Sequence, residues 1–345
     1  MMTNKQSAPK KRVTIADIAK AVGISKGAVS YALNDKPGIS PRTRQKVIDT
    51  ANQLGWYPNS AARALSAAKA NACGLVLARP ANTLAYEPFF MQLIAGIESE
   101  LSARSVALAI QVVPDIETEM QTYRRWWAER RVDGVFLVDS REQDPRINFL
   151  TDLGLPTLLL GAPLPNHEIP ALWHEEYGVI VEVVRYLHAL GHKQIARVAG
   201  MSGFIHTATR TKGFLDATKE LKIKSSVTNT DFMAESGAQA TRKLLTDPSP
   251  PSAIIYDSDI LAVAGLGVAH EMGLRVPNDL SIIAWDDSTF CQVVHPPLTA
   301  INRDIMAYGV TASCKLLDII DGKSQTDEES PPGTLIPRAS TSRHS

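Results

Sequence analysis

The N-terminal part of the chain has the hydrophobic spacing of short amphipathic helices. Apolar residues at positions i, i+3, i+4 and i+7 predict a first helix with one buried face: Ile15, Ile18, Ala19 and Val22. Thr14 can cap this helix, and Gly23 stands where a helix end favours a residue that tolerates positive φ. Ser25 can cap a second helix directly after the turn. Two short helices joined by such a turn predict a helix-turn-helix, whose second helix can lie in the DNA major groove.

A polar loop over residues 34–39 leads to a third helix. Ser40 can cap it, Pro41 suits its first position, and the hydrophobic pattern ends near Leu54 and Gly55. Because the caps, the turn and the pattern agree, we expect an all-α DNA-binding module at this end of the chain.

The rest of the chain alternates short apolar strands with helices. Strands are predicted at residues 73–78, 106–113, 134–138, 157–160, 195–199, 227–230, 253–256, 281–285 and 298–301. Helices are predicted at residues 89–102, 116–130, 177–190, 207–221, 236–245, 258–272 and 305–320. This alternation favours parallel, doubly wound sheets, and its restart near residue 177 predicts two successive α/β units. Ligands of such folds bind at the carboxyl ends of strands, so a cleft between the units is expected.

Charge is unevenly spread along the chain, although the 345 residues carry no net charge. Residues 1–70 contain twelve Lys and Arg against three Asp, a net charge of +9, which leaves −9 for the remainder. A basic head on an acidic body is typical of a polyanion-binding module attached to a carrier domain. The alternative, a solvated lysine-rich tail, does not explain the helices predicted in the same stretch.

The sequence predicts no metal, no cofactor and no membrane segment. The first twelve residues are polar and basic, and no apolar run reaches membrane-spanning length, so a cytoplasmic protein is expected. Cys73, Cys291 and Cys314 lack the spacing of metal ligands and suit buried thiols in a reducing compartment. Residues 323–332 are polar and contain Pro, which predicts a surface connection, and the tail beyond Arg338 is expected to fray.

Two stretches of the N-terminal module resemble the headpiece of the lactose-repressor/galactose-repressor (LacI/GalR) family of bacterial transcription regulators: VTIADIAKAVGISKGAVSYALN and TRQKVIDTANQLGWYPNSAARAL. The remainder resembles the family more loosely. The resemblance implies a homodimeric repressor that binds pseudo-palindromic double-stranded DNA and responds to a small-molecule effector, in most relatives a sugar. It also implies an N-terminal all-α helix-turn-helix headpiece followed by an α/β core of two doubly wound parallel-sheet lobes, like the type I periplasmic-binding proteins.

On this resemblance we divide the chain into a disordered basic arm at residues 1–12, the headpiece at 13–58, a hinge helix and linker at 59–71, and an effector-binding and dimerisation core at 72–338. The first lobe of the core is expected at about 72–170 and 302–320, and the second at about 171–301, because family members return their last helix to the first lobe. The chain should therefore cross between the lobes more than once.

The resemblance also implies DNA contacts. Base edges would be read by the first residues of the second helix, Ser25, Lys26 and Gly27, and phosphates would be contacted by Ser30, Asn34, Ser40 and Thr43. The other predicted contacts are Thr14, Tyr31 and, in the hinge helix, Asn59, Ala62 and Leu65. Leu65 matches the leucine that family members wedge between base pairs. Gly27 has no side chain to read a base and Tyr31 stands where many members carry Arg, so the resemblance does not give the operator sequence.

Charged candidates for effector binding lie where strands end or helices begin. Asp139 and Asp286 follow predicted strands, and Arg210 lies in a segment that resembles the family's Arg-x-x-Gly-Phe motif. A guanidinium donates and a carboxylate accepts, so Arg210 and Asp286 together can satisfy a sugar hydroxyl. We expect these two side chains to hold each other when the cleft is empty. For Asp139 a loop carboxylate or helix cap is an equally simple interpretation.

Aromatic and small polar candidates complete the predicted effector site. The family uses the aromatic residues of a motif that matches Phe89 and Phe90 here, although both could equally pack in the core at a helix start. Trp285 could stack on a sugar or lie in the core. Trp173 is expected at the mouth of the cleft, and Ser258 stands where Asn is usual in the family.

Enzyme motifs are not found. The run at residues 200–203, Gly-Met-Ser-Gly, lacks the spacing of a nucleophile elbow, and the Gly-Leu-Gly run at 265–267 lies inside a predicted helix, unlike a dinucleotide fingerprint. His188 and His192 are separated by a predicted helix end at Gly191. Two alternative hypotheses therefore stay weaker than a regulator. A solute-binding protein would need a signal peptide, and an α/β enzyme would need a catalytic triad or a metal site.

Overall fold

The computed structural model describes residues 13–56, 69–80, 87–165 and 168–344. These residues form two compact units, one within residues 1–70 and one within residues 71–345. The predicted arm and the predicted hinge contacts Asn59, Ala62 and Leu65 lie outside the described residues.

The N-terminal unit packs its helices around a small apolar core. Its described helices are α1 (Ile15–Val22), α2 (Lys26–Leu33) and α3 (Pro41–Gln53). Ile18, Val29 and Val47, one from each helix, are fully buried and pack together. Gly23 ends α1 in the left-handed region with a φ of 79°, which an L side chain would adopt only with strain. The predicted helix-turn-helix is confirmed.

The core unit is built on two sheets. Its described strands are, in chain order, β1 (Ala72–Ala78), β2 (Ala107–Val113), β3 (Gly134–Leu137), β4 (Thr157–Leu160), β5 (Ala171–His174), β6 (Gln194–Ala199), β7 (Lys224–Asn229), β8 (Ala253–Tyr256), β9 (Ser281–Trp285), β10 (Thr299–Asn302), β11 (Glu328–Ser330) and β12 (Thr334–Ile336). The first sheet has the order β11-β5-β4-β3-β1-β2 and the second β12-β10-β9-β8-β6-β7. The strand pairs are parallel except β10 with β12. Two doubly wound lobes are therefore confirmed.

Helices pack against these sheets. The described helices of the core are, in chain order, α4 (Pro88–Ala103), α5 (Ile116–Ala128), α6 (Pro145–Leu153), α7 (Tyr177–Ala189), α8 (Ile205–Glu220), α9 (Ala234–Leu245), α10 (Asp259–Glu271), α11 (Thr289–Val293) and α12 (Ile305–Ile320). Successive residues of β8 face different helix layers. Ile254 packs with Leu261 of α10, whereas Ile255 packs with Val183 of α7. Because both faces of the second sheet are covered, its central strand β8 is a continuous, fully buried run of largely apolar residues.

The chain passes between the lobes three times within the described residues. After β5 of the first sheet it enters α7, which packs on the second sheet. After β10 it returns in α12, where a Cβ added at Gly309 would lie 2.6 Å from the Leu93 carbonyl oxygen of α4. The last passage joins β11 of the first sheet to β12 of the second. We call residues 175–176, 303–304 and 331–333 the crossing segments.

Two short strands correct the expected lobe boundaries. β5 pairs with β4 in the first sheet, so the second lobe begins after His174 and not at Ala171. β11 adds to the same sheet within residues 323–332, which the sequence predicts to be only a connection. Both strands are three or four residues long and partly exposed, so no apolar run distinguishes them from loops.

The C-terminal tail beyond Arg338 is held against the second lobe, and the prediction that it frays is wrong. Ser340 is fully buried, and its Oγ donates to the Ile282 carbonyl at 2.6 Å and accepts from the Thr299 N–H at 2.8 Å. The Ile282 N–H donates to the Ser340 carbonyl at 2.8 Å. Hydrogen bonds hold the tail at Ser340, so its attachment leaves no apolar pattern in the sequence.

Candidate functional site

The residues predicted to read DNA bases lie at the exposed beginning of α2. Ser25 Oγ accepts a hydrogen bond from the Ala28 N–H at 3.1 Å and so caps the helix. Lys26 and Gly27 follow in the first turn and are both exposed. Tyr31 is 49% exposed and shares a helix face with Gly27, four residues earlier. The first turn of α2 is therefore exposed among the residues that the structure describes.

The residues predicted to contact phosphates lie at helix ends. Asn34 Nδ2 donates to the Ser30 carbonyl at 2.9 Å, and Ser40 Oγ accepts from the Thr43 N–H at 3.2 Å. An amide or hydroxyl that makes one such bond keeps further donors and acceptors for a phosphate. All four residues are exposed or half-buried, so a phosphate can reach them.

Thr14 is engaged at the beginning of α1. The Asp17 carboxylate accepts hydrogen bonds from the Thr14 N–H at 2.8 Å and from its hydroxyl at 2.7 Å. This local pairing stabilises the helix start. A contact between Thr14 and DNA stays a prediction, as do the other DNA contacts.

A cavity lies between the carboxyl ends of the strands of the two sheets. Six of the predicted effector ligands line it: Phe89, Asp139, Trp173, Arg210, Ser258 and Asp286. Strand ends and the helix starts that follow them supply these side chains, which is the position that the parallel topology favours for ligands. Ser258 also caps α10, since its Oγ accepts from the Leu261 N–H at 3.3 Å.

Phe90 and Trp285 are core residues and do not line the cavity, so these two effector assignments are wrong. Phe90 is 1% exposed and Trp285 is fully buried. Each instead lies beside an arginine that does line the cavity. The Arg79 guanidinium carbon is 4.9 Å from the Phe90 ring centroid, and that of Arg210 is 4.0 Å from the Trp285 ring. Trp285 is the last residue of β9, and Asp286, directly after the strand, lines the cavity.

The first lobe contributes an arginine whose charge is satisfied within that lobe. Arg79, directly after β1, donates to both carboxylate oxygens of Asp139 at 2.7 Å and to Glu87 at 2.8 Å. Two rings of the second lobe cover its guanidinium, with centroid distances of 5.1 Å for Phe204 and 5.3 Å for Phe232. These distances suit cation–π contacts.

Four charged side chains from the second lobe and the crossing segments form a chain of ion pairs along the cavity. Arg210 donates through Nη2 to Glu176 Oε1 at 2.9 Å and through Nε to Oε2. Arg303 donates to the same Oε1 at 3.1 Å and to Asp286 Oδ1 at 2.8 Å. The predicted direct pairing of Arg210 with Asp286 is therefore wrong. Glu176 and Arg303, which both lie on crossing segments, stand between them.

The two strand-end aspartates share an unusual backbone conformation. Asp139 has a φ of 56° and Asp286 a φ of 66°, both in the left-handed region. The Asp139 carbonyl accepts a hydrogen bond at 2.9 Å from Arg146, a buried arginine of α6. Such conformations cost free energy and are concentrated at functional sites.

Burial and charge move the pKa values of the cavity carboxyls in opposite directions. Burial would raise the pKa of Glu176, but the charges of Arg210 and Arg303 outweigh it and lower the pKa to about 2. The pKa of Glu87 is raised to about 7, mainly by burial and against the opposing charge of Arg79. The pKa of Asp259 is raised to about 6, mainly by burial. Glu176 is thus firmly ionised, while Glu87 and Asp259 are costly to ionise.

Several cavity residues escape the sequence analysis. Arg79 and Asp257 directly follow β1 and β8, and Arg303 follows β10. Applying the strand-end rule to every strand would have found these three. Glu87 and Glu176 follow no predicted strand, so the sequence carries no signal for them.

The described residues contain no cluster of three or more His, Cys, Asp or Glu side chains arranged to hold a metal ion. None of their helices combines the length and apolar character needed to cross a membrane.

Comparison with known proteins identifies both units of the chain. Residues 14–59 match the family described as bacterial regulatory proteins, lacI family, and residues 184–341 match a periplasmic binding protein-like domain. The probable HTH-type transcriptional repressor ExuR of Bacillus subtilis (strain 168) is 30% identical over 313 residues, which cover 89% of this chain and 92% of that protein.

Solved structures agree with this assignment. The lac repressor dimer bound to operator and the anti-inducer ONPF has a TM-score of 0.83 at 26% identity, covering 96% of this chain and 100% of that one. The complex of the transcriptional regulator CelR with cellobiose has a TM-score of 0.72 at 27% identity, covering 95% and 100%. These relatives are regulators and not enzymes, which confirms the regulator hypothesis. The chain belongs to the lacI family of bacterial regulatory proteins and is a DNA-binding transcription regulator.

Proposed function

We propose that this regulator is a repressor that binds a pseudo-palindromic operator as a homodimer, and that a sugar in the cleft controls its affinity for that operator. The observation that carries the proposal is the convergence of buried arginines and carboxylates on one cavity between the lobes. The CelR–cellobiose complex and the operator complex of the lac repressor dimer support its two halves. We also propose a cytoplasmic location, since bacterial DNA lies there.

Sugar hydroxyls both donate and accept hydrogen bonds, and the cavity offers both kinds of partner. Arg210 and Arg303 supply planar, paired donors, and Asp139 and Asp286 supply acceptors. Each charged hydrogen bond contributes about 1.5–3 kcal/mol. Apolar surface for the sugar ring comes from Phe89, which also lines the cavity. The same lining residues can therefore fix a polyol in one orientation.

Operator recognition is assigned to the headpiece. Ser25, Lys26 and Gly27 begin α2, the helix that this motif places in the major groove. The basic charge of residues 1–70 adds attraction to phosphates that does not depend on sequence. We assign the minor-groove wedge to Leu65, which lies outside the described residues.

The crossing segments provide a route from the cleft to the angle between the lobes. Glu176 and Arg303 lie on two different crossing segments and pair at 3.1 Å. The lobes also meet directly, because the Ile205 N–H of the second donates to the Ser140 carbonyl of the first at 3.0 Å. A sugar that competes for Arg303 changes how the crossing segments are held. In a dimer the altered lobe angle would change the spacing of two headpieces that each read a half-site.

Asp286→Asn tests this proposal. A thermal-shift screen of mono- and disaccharides first identifies a binding sugar, and operator affinity is then measured with and without it. The variant should need about tenfold more sugar for the same change in operator affinity, equivalent to ~1.4 kcal/mol of sugar-binding free energy. The reason is that a neutral amide accepts hydrogen bonds more weakly than a carboxylate. Operator affinity without sugar should be unchanged.

The matched control is Asp152→Asn, which alters an exposed carboxylate of α6 that does not line the cavity. It should respond like the wild-type protein. A normal sugar response of Asp286→Asn would contradict the assignment of the effector site.

A further inference from the structure

One aromatic residue of the second lobe contacts two cations of the first lobe. Phe204 lies just before α8, and its ring centroid is 5.1 Å from the guanidinium carbon of Arg79 and 5.3 Å from that of Arg141. Arg79 follows β1 and Arg141 follows β3, so both cations belong to the first lobe. Both distances are within the range of cation–π attraction. Phe204 is only 2% exposed, so its ring is shielded from water.

Backbone contacts join the same two segments. The Ile205 N–H donates to the Ser140 carbonyl at 3.0 Å, and Phe204 pairs with Arg141 as an isolated antiparallel β-bridge. Because the backbone and ring contacts involve adjacent residues, they should form and break together when the lobes move as units.

Phe204 is anchored in the core of its own lobe. It belongs to the same apolar cluster as Phe232 and Ile254. The Phe232 ring also covers Arg79, with a centroid distance of 5.3 Å. A Cβ added at Gly200 would overlap the Phe232 ring, so glycine is what allows this ring to lie against the backbone. Phe204 therefore moves with the second lobe and does not follow the arginines.

The charges of the two arginines are stabilised in different ways. Arg79 is held by Asp139 and Glu87 of the first lobe. Arg141 Nε is buried and has no hydrogen-bond partner among the described residues, while its guanidinium lies over the Phe204 ring. The electron-rich face of an aromatic ring can stabilise such a cation without a conventional hydrogen bond. Separation of the lobes would take this ring away from Arg141.

We propose that Phe204 is an inter-lobe latch, which holds the effector cleft closed by placing its ring between Arg79 and Arg141. Such a latch sets the balance between closed and open lobes before any ligand binds. Phe204 is not among the described residues that line the cavity. The latch therefore goes beyond the proposed effector site and acts whichever small molecule binds there.

Arg79 connects the latch to the cavity. It lines the cavity and donates to both carboxylate oxygens of Asp139, which lines the cavity too. A ligand that donates to Asp139 competes with Arg79 for these oxygens and so changes how the guanidinium is held against the Phe204 ring. Ligand binding and lobe closure are coupled through this arginine.

Hydrogen exchange of the Ile205 amide measures the latch in the full-length protein without any ligand. This amide donates from one lobe to the other, so it becomes free to exchange when the lobes part. The Ile255 amide is the reference, because β8 is paired on both sides and opens only when the second lobe unfolds.

Arg141→Met removes the cation and keeps an aliphatic side chain. The Ile205 amide should exchange about threefold faster, as expected for the loss of one cation–π contact, and the Ile255 amide should be unchanged. Arg124→Met is the matched control, because the Arg124 guanidinium carbon lies 5.2 Å from the Phe149 ring centroid within the first lobe. It should leave Ile205 exchange at the wild-type rate. An unchanged Ile205 rate in Arg141→Met would overturn the latch.

Phe204→Leu removes the ring from both cations and keeps an apolar side chain in the core. After correction for the intrinsic exchange rate of the new sequence, Ile205 exchange relative to Ile255 exchange should rise about tenfold. Equal acceleration of the two amides, or no acceleration of either, would show that Phe204 only fills the core of the second lobe and that the lobes are held by other contacts.

Discussion

The headpiece and the effector cleft use polar side chains in opposite ways. In the headpiece the side-chain hydrogen bonds of the predicted DNA ligands join residues three or four positions apart, as between Asn34 and Ser30. In the cleft the partners are distant in sequence: Arg303 and Glu176 are 127 positions apart and Arg79 and Asp139 are 60. The headpiece groups are largely exposed, whereas the cleft groups are buried.

This difference separates two kinds of functional residue. An exposed residue that meets its partner only in the complex can be changed at little cost to the folded state. A buried charge that is already paired cannot, because its partner is then left in a poorly solvating environment. Substitutions of the exposed headpiece residues should therefore weaken DNA binding without lowering stability. Substitutions of the buried, paired charges in the cleft should weaken effector binding and lower stability.

The largest effect is expected for Glu176→Ala. This change removes the carboxylate shared by Arg210 and Arg303, and breaking a buried ion pair from one side typically costs about 3–5 kcal/mol of the free energy of unfolding. Urea denaturation of the full-length protein measures the loss. Glu182→Ala, at an exposed position of α7, the helix that follows Glu176, is the control and should change stability by less than about 0.5 kcal/mol. A loss below about 1 kcal/mol for Glu176→Ala would show that buried pairing in the cleft contributes little.

A smaller effect, on binding alone, is expected for Lys26→Ala. If Lys26 reads a base edge, specific operator binding should weaken by about 1–3 kcal/mol and the preference for the operator over other DNA should fall. The urea midpoint should stay unchanged because the side chain is exposed. Lys20→Ala, on the exposed face of α1, is the control.

Competition footprinting at several salt concentrations distinguishes the possible outcomes for Lys26. An even loss across all DNA sequences, with the salt slope reduced by about one, would assign Lys26 to a phosphate instead of a base. If Lys26→Ala lowered folding stability as much as Glu176→Ala, the proposed difference between headpiece and cleft residues would be wrong.

The local character of the headpiece explains why its sequence predicts it well. Its caps at Ser25 and Ser40, the glycine at its turn and its apolar stripe all act within a few residues, and the structure has each where the pattern predicts it. The lobes are predicted for a related reason, since each strand and helix carries its own hydrophobic period.

The cleft is only partly predictable because its geometry depends on residues that meet through the topology. Strand ends identify Asp139 and Asp286, but not their partners: Asp139 meets Arg79 after the neighbouring strand of its own sheet, whereas Asp286 meets Arg303 on a crossing segment. Glu176 lies on a crossing segment just after β5, a four-residue strand that the apolar pattern does not reveal. The pairing of Arg210 with Glu176 could therefore not be derived from the pattern of either element.

The smallest effect is expected for Gly27→Ala, where stability and binding should move in opposite directions. A Cβ at residue 27 would meet only Ser25 Oγ, at 3.8 Å, among the described atoms, so the headpiece itself does not require glycine here. Replacing a helical glycine by alanine typically stabilises by about 0.5–1 kcal/mol. If glycine at the start of α2 instead lets the DNA approach the backbone closely, operator affinity should fall.

Hydrogen exchange of the α2 amides in the full-length protein measures the first effect, and operator titration measures the second. Gly23→Ala is the matched control of opposite sign, since its φ of 79° penalises any side chain and should destabilise α1. Slower exchange together with unchanged operator affinity in Gly27→Ala would show that the operator leaves room for a side chain at this position. The absence of a side chain at Gly27 would then have no part in recognition, and base reading in this turn would rest on Ser25 and Lys26.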